Sequence, residues 1–267
     1  MMPHGPALAD PGGRSGSRSR HRALAISATL ALLTAWRDTL AIDANPYLLT
    51  PTVVEGEREL DVFAGVGSAG STTGLRRNSA IGVGVGVTNS WLSELAIRYQ
   101  KAGDAGLAYD AVEWENILAL AETNEWPVDV GIVLELELPH HSAEGIETRI
   151  GPLLQKDLGN FEINLNLIMD HHFFSDGFDS TRLQYQGQIK YRYREPLEFG
   201  LQSFGQTGSR RQNWAAYEQQ VHRIGPVVMG HFALPKERGW SYNVGYLLGT
   251  TAHSPDRTLR CQIEYEF

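Results

Sequence analysis

The segment RLQYQGQIKYRYR, Arg182–Arg194, alternates strictly between two classes of residue. Because successive side chains of a strand point to opposite faces, this order predicts a β-strand with one apolar and one polar face. A helix would mix the two classes on each of its faces. The strand fits either a soluble antiparallel sheet or a membrane barrel with a wet interior. The apolar class is Leu183, Tyr185, Gly187, Ile189, Tyr191 and Tyr193.

The same alternation recurs along most of the chain after residue 57. About twelve such segments follow one another, each close to the roughly 9–11 residues with which a tilted strand crosses a bilayer. An even number suits a single-chain bacterial barrel, in which every second connection is short. The predicted strands are 57–66, 79–88, 90–101, 107–121, 127–138, 145–156, 160–172, 181–194, 196–206, 220–234, 238–250 and 257–267.

The N-terminal region has the layout of a secretory signal peptide. Several arginines precede an uncharged apolar run, Ala23–Trp36, and small residues follow it. That run is shorter than the roughly 20 residues of a membrane-spanning helix. A buried N-terminal helix is the alternative. We therefore expect a signal peptide at 1–44 that is removed, a short periplasmic N-terminal segment at 45–56, and a barrel at 57–267.

The last strand segment, RTLRCQIEYEF, places apolar residues at every second position up to Phe267. It resembles the terminal strand of bacterial outer-membrane barrels, and the resemblance implies that Tyr265 and Phe267 form a membrane-assembly signal for the barrel-assembly machinery. Together with the leader, it predicts an all-β fold. That fold is a single transmembrane antiparallel β-barrel of about 12 strands in the bacterial outer membrane.

Composition narrows the possible functions further. The chain is 42% hydrophobic and 20% charged, and its net charge of -8 argues against a nucleic-acid partner. The single cysteine, Cys261, allows no intrachain disulfide. Glycine occupies every inner position of Ile81–Val87, which would leave room in a narrow barrel for large side chains opposite.

If the polar faces point inward, the lumen has an acidic wall that meets a basic one. This arrangement could set up a transverse field across an aqueous pore that orients solutes. The same charges could equally form an internal salt-bridge network in which buried charges neutralise one another. The predicted lumen-lining residues are Glu113, Glu115, Asp129, Glu135, Glu137, Glu162, Asp170, Arg182, Lys190, Arg192, Arg194 and Arg260.

Two histidine clusters, His140-His141 and Asp170-His171-His172, are candidate metal ligands. Adjacent residues of a strand point to opposite sides, so such pairs rarely bind one ion together, and we expect no metal. Ser142 and Ser175 lie near histidines without forming a recognised catalytic motif. We therefore expect no catalytic residue and no cofactor.

Several segments, among them VTNSWLSELAIRYQ, EWENILAL and RIGPVVMGHF, resemble a group of proteobacterial outer-membrane barrels. They are loosely similar to the MetA-pathway phenol-degradation family, which is related to aromatic-compound transport channels. The resemblance implies a barrel that passes solutes. It also exposes a difference, because residues 45–56 are too few for the N-terminal plug of long-chain fatty-acid or aromatic transporters.

The sequence thus predicts a non-enzymatic channel for passive passage of small polar or aromatic solutes, with outer-membrane lipids and a small-molecule solute as its partners. Two other functions stay open. One is a barrel enzyme that acts on lipid, and the other is a structural or adhesion barrel that conducts nothing.

Overall fold

The computed structural model describes residues 45–68, 74–102, 106–175, 180–210, 214–236 and 238–267. The predicted signal peptide, residues 1–44, lies outside these ranges. The described part forms one closed antiparallel barrel of twelve strands. The strands are β1 Arg58–Ser68, β2 Leu75–Thr88, β3 Trp91–Ala102, β4 Ala108–Ala119, β5 Asp129–Pro139, β6 Ile146–Leu158, β7 Phe161–Phe173, β8 Ser180–Arg194, β9 Leu197–Gln206, β10 Val221–Leu234, β11 Arg238–Gly249 and β12 Arg257–Glu266.

Short 3₁₀ turns lie in the loops at Ser142–Glu144 and Tyr217–Gln219. Among the residues that the structure describes, no helix has the length and the apolar character needed to cross a membrane.

The barrel closes where its first strand meets its last. Each strand pairs with its neighbours along the chain, and β1 also pairs with β12, with Glu59 opposite Glu266 and Ala64 opposite Cys261. Closure leaves no sheet edge with unpaired backbone groups, as a bilayer requires. The predicted fold class and strand number are confirmed.

Side chains alternate between the two surfaces of the barrel as the sequence predicts. On β8, Leu183 and Ile189 are 44% and 51% exposed, whereas Arg182 and Gln188 are buried. The exposed face is apolar and the buried face is polar, which is the reverse of a soluble protein. The outer surface is therefore one that hydrocarbon, and not water, can solvate.

Connections at the two ends of the barrel differ as expected, with one correction. Of the five connections at the end that carries both termini of the barrel, four have two or three residues, and the fifth, residues 120–128, has nine. However, the connection between the predicted strands 57–66 and 79–88 is too long, since β2 begins at Leu75 and pairs with Ser68. Arg76 and Arg77 continue the hairpin because each faces a residue of β1 across the ladder.

Exposed aromatic side chains mark the end of the barrel that carries the short connections. Phe161 packs 5.2 Å from Tyr191, and Trp240 packs 4.6 Å from Tyr265, measured between ring centroids. Aromatic rings prefer the interfacial level of a bilayer, so this arrangement is typical of an aromatic girdle at the membrane surface.

Candidate functional site in the lumen

The inward faces of the strands place most of the predicted lumen residues inside the barrel. Eight of them are buried, and three more, Glu137, Lys190 and Arg192, are partly buried among other lumenal charges. The buried ones are Glu113, Glu115, Asp129, Glu135, Glu162, Asp170, Arg182 and Arg260.

Arg194 is the exception among the predicted lumen residues. It is exposed at the end of β8, and its guanidinium lies 5.0 Å from the ring centroid of Tyr193. The pairing of β8 with β9 shifts between Tyr191 and Arg194, so strict alternation ends before Arg194. Because the register shifts next to the turn, the side chain of Arg194 does not point to the inner face that strict alternation predicts.

Arg149 is the centre of an ion-pair network on β4, β5 and β6. Its guanidinium lies 2.8 Å from a carboxylate oxygen of Glu135 and 2.8 Å from one of Glu147, and 4.0 Å from Glu137. Glu113 on β4 is held by Arg98 at 2.6 Å, and Arg98 also lies 3.5 Å from Glu137. Low-dielectric surroundings make such charges costly unless they are paired, so the network stabilises an otherwise repulsive acidic wall.

A second set of ion pairs joins β8 to β6 and β7. Arg182 Nε donates to Asp170 at 2.8 Å, and Lys190 Nζ lies 2.8 Å from Glu162. Arg192 binds Asp157 through two parallel hydrogen bonds of 2.9 Å each. The basic wall predicted on β8 is therefore neutralised by the strands beside it, and the salt-bridge alternative describes this part of the lumen.

Residues 45–51 lie against the inner wall of the barrel, which corrects the periplasmic position that we expected for them, whereas residues 52 and 54–56 are exposed. The Tyr47 hydroxyl donates to Glu113 at 2.9 Å or to Glu115 at 3.1 Å. The backbone of Leu49 donates to Gln186 and accepts from Asn166 Nδ2, at 3.0 and 2.8 Å. A short segment can thus occupy the lumen because inward side chains supply the hydrogen bonds that its backbone lacks.

An apolar cluster surrounds this segment in the middle of the lumen. Leu49 packs against four inward-facing side chains that the wall contributes in place of polar ones, and Tyr47 and Val53 pack on the same cluster. The barrel interior is consequently packed at this level. The four wall residues are Ile117, Val133, Leu153 and Ile168.

Inner glycines make room for this filling, as the sequence predicts. A Cβ atom at Gly82 would lie 1.9 Å from the carboxylate of Glu94, and one at Gly84 would lie 2.2 Å from that of Glu59. At Gly86 the neighbour is the backbone oxygen of Val54, also 1.9 Å away. The glycine stripe therefore accommodates both the acidic side chains and the lumenal segment.

A group of acidic side chains lies near the barrel end that carries both termini. Glu59, Asp61 and Glu94 have carboxylate oxygens within 4.8 Å of one another. Among the described residues, no lysine or arginine forms an ion pair with any of the three. Just before β1, burial and the charge of Glu266 raise the pKa of Glu57, while His231 lowers it.

The opposite side of the lumen carries a chain of side-chain amides. Asn164 Nδ2 donates to Gln155 at 2.9 Å, Gln188 Nε2 donates to Asn164 at 2.9 Å, and Gln202 Nε2 donates to Gln188 at 2.6 Å. Arg260 then donates to Gln202. These glutamines and asparagines carry no charge, so their part in the site is visible only after the register is known.

The charges of the lumen are consequently not arranged as an acidic wall facing a basic wall, which is the arrangement that the predicted transverse field requires. The acidic wall of β4 to β7 is largely paired. On β12, by contrast, Arg260 and Glu264 stand four positions apart on the same face, with the acid nearer the barrel end that holds both termini. On this side of the barrel the charge changes along the axis.

The candidate metal ligands do not assemble as histidine pairs. His140 and His141 pack on each other with ring centroids 4.9 Å apart. His172 does approach Glu147 and Asp170, but the Arg182 guanidinium contacts all three. That guanidinium already supplies the positive charge that a metal ion would bring.

Searches with the sequence find no matching family model and no matching curated protein. Solved structures are similar in fold. The NanC porin aligns with a TM-score of 0.53 and 15% identity over 78% of this chain and 98% of that one. The COG4313 outer membrane channel from Pseudomonas putida F1 aligns with a TM-score of 0.54 and 12% identity over 81% and 97%.

These likenesses show that the chain has the fold of outer-membrane channel barrels. A closed barrel with an apolar outer surface needs a bilayer around it.

Proposed function

We propose that the chain is an outer-membrane channel for the passive passage of small polar or aromatic solutes. The observation that supports it is the polar inner wall, which carries acidic, basic or amide side chains from Glu266 at one end to Arg182 towards the other and is interrupted by the apolar cluster around Leu49. A barrel that served only as a membrane anchor would not need buried charges, which cost free energy even when they are paired.

The lumenal segment 45–56 is the part of the channel that must move for a solute to pass. It belongs to no strand, and side-chain hydrogen bonds from Tyr47 and to Leu49 hold it in place. Contacts of this kind each contribute only about 0.5–1.5 kcal/mol, or more where a charged group takes part. We infer that the segment is a displaceable stopper.

Planar-bilayer recordings of the refolded barrel test this function. We compare residues 45–267 with residues 57–267, after heat-dependent gel mobility has shown that both are folded. The proposal expects measurable conductance from both proteins and a several-fold larger value from the shorter one. Two folded proteins without conductance would contradict the channel function and would favour a structural or adhesion barrel.

Ion selectivity provides a second test with a matched control. Arg192→Gln removes the positive charge that lies within 3 Å of the carboxylates of Asp157 and Glu162. We expect the cation-to-anion permeability ratio to rise by about two-fold or more, because local charge governs ion concentration in a narrow pore. Arg194→Gln should leave the ratio unchanged, since Arg194 is exposed at the strand end.

Finer features of the proposal come from the sequence alone. The resemblance to the MetA-pathway family supports aromatic compounds as one class of solute. We further propose that residues 1–44 are removed on export and that the barrel-assembly machinery recognises Tyr265 and Phe267. A lipid-degrading function has less support, because among the described contacts neither Ser142 nor Ser175 makes a hydrogen bond to a histidine.

A further inference from the structure

Arg260 is a buried cation whose hydrogen bonds use one nitrogen only. Its side chain projects from β12 between two glycines, Gly65 of β1 and Gly245 of β11, and the residue is 1% exposed. Nη2 donates to the side-chain oxygens of Gln202 and Asn243. Nε and Nη1 have no hydrogen-bond partner among the described residues.

The charge of Arg260 also differs from that of the other lumenal arginines. Arg149, Arg182 and Arg192 each lie within 3 Å of a carboxylate. Arg260 has no ion pair with any described carboxylate, and its closest acceptors are neutral amides. A guanidinium remains charged in proteins, and a buried charge without a counter-charge costs several kcal/mol. This site therefore lacks one negative charge.

The surroundings of Arg260 suit an anion. Arg223, on β10, is buried on the same side of the lumen and adds a second positive charge. Thr258 lies two positions before Arg260 on the same face of β12, and its buried hydroxyl has no partner among the described residues. The ring of Phe204 covers one face of the guanidinium at 5.5 Å.

We propose that Arg260, with Thr258 and Arg223, binds a small oxyanion such as a phosphate or a carboxylate inside the lumen. The anion accepts hydrogen bonds from Nε or Nη1 of Arg260 and from the Thr258 hydroxyl, and it supplies the missing charge. Both β10 and β12 begin at the barrel end opposite the termini, near Arg223 and Arg260, so the site lies towards that end of the lumen. The site goes beyond channel function and does not depend on conduction.

Calorimetric titration of the full refolded barrel in detergent micelles tests the site, with inorganic phosphate as the probe and with constant ionic strength. We expect one saturable site in the unaltered protein. Arg260→Gln should weaken binding at least ten-fold. The matched control is Arg257→Gln, since Arg257 lies on the same strand but is exposed, and it should bind phosphate like the unaltered protein.

A second variant covers the case in which Arg260→Gln does not fold. Arg260→Lys keeps the charge but replaces the planar donor group with a single ammonium, so phosphate affinity should fall by about three-fold or more. The inference is overturned if the unaltered protein does not bind phosphate, or if a folded Arg260 variant binds it with unchanged affinity. Because binding is measured without a bilayer, a failure here is distinct from a failure of conduction.

Discussion

Individual arginines of the barrel contribute unequally to its stability, because they differ in the number of carboxylates that they contact. Arg149 contacts three carboxylates, whereas Arg194 has no ion pair with a described carboxylate and lies over an exposed aromatic ring. Removing a cation that serves several buried acids leaves each of them without its counter-charge. The two arginines therefore offer a direct comparison of lumenal and exposed positions.

Arg149→Gln should destabilise the barrel by about 3–5 kcal/mol, the cost typical of breaking a buried ion pair on one side. Urea unfolding in detergent micelles, followed by circular dichroism, measures this free energy. Arg194→Gln is the control and should change it by less than about 0.5 kcal/mol. Equal stabilities of the two variants would show that the ion-pair network is not structural.

At the scale of the element, the inner glycines of β2 connect strand and lumenal segment. Gly86 donates its backbone N–H to Glu57 and accepts from Gly56, at 2.9 and 2.8 Å. Its missing side chain allows the backbone of Val54 to approach closely. One strand position therefore determines how near residues 54–57 can lie to the wall.

Gly86→Ala should move residues near Val54 away from β2, because its Cβ would overlap a backbone oxygen. Over-packing of this kind typically costs about 1–3 kcal/mol. We expect that loss in urea unfolding, together with faster protease cleavage within 45–56. Gly106→Ala provides the control, since nothing lies within 4 Å of a Cβ there. Unchanged cleavage in Gly86→Ala would argue against the close approach.

For the whole molecule, closure between β1 and β12 is the decisive feature. It joins parts of the chain almost two hundred residues apart and removes both sheet edges at once. The pair Ala64 and Cys261 provides a chemical test, because Cys261 is the single cysteine of the sequence and lies directly opposite Ala64.

Ala64→Cys should form a disulfide with Cys261 when the folded barrel is oxidised with diamide. Directly opposite residues have Cβ atoms about 4.5–5.5 Å apart, near the range that a disulfide spans after slight adjustment. Val62→Cys is the control, since Val62 pairs with Ile263 and lies diagonal to Cys261. Unfolded-protein gel mobility, with and without reductant, reports the crosslink. Preferential crosslinking of Val62→Cys would show a different register.

Much of the architecture follows from the sequence, because strand alternation is a local property with a period of two. The residues of Arg182–Arg194 were enough to predict which side chains of β8 face lipid, with Arg194 as the exception at the shifted register. The glycines of β2 likewise predict room for large inward side chains opposite them. These inferences need only that a strand be regular and that one face be buried.

Other features were decided by tertiary structure alone. Alternation predicts that Glu113 and Arg149 point inward. It does not predict which charged side chains form ion pairs, because pairing depends on the register between strands. The position of Tyr47 beside Glu113 joins residues 66 positions apart, and the contact between Leu49 and Gln186 joins residues 137 apart. Only a closed barrel brings such residues together, so the lumenal segment and the uncompensated Arg260 became visible once the chain was folded.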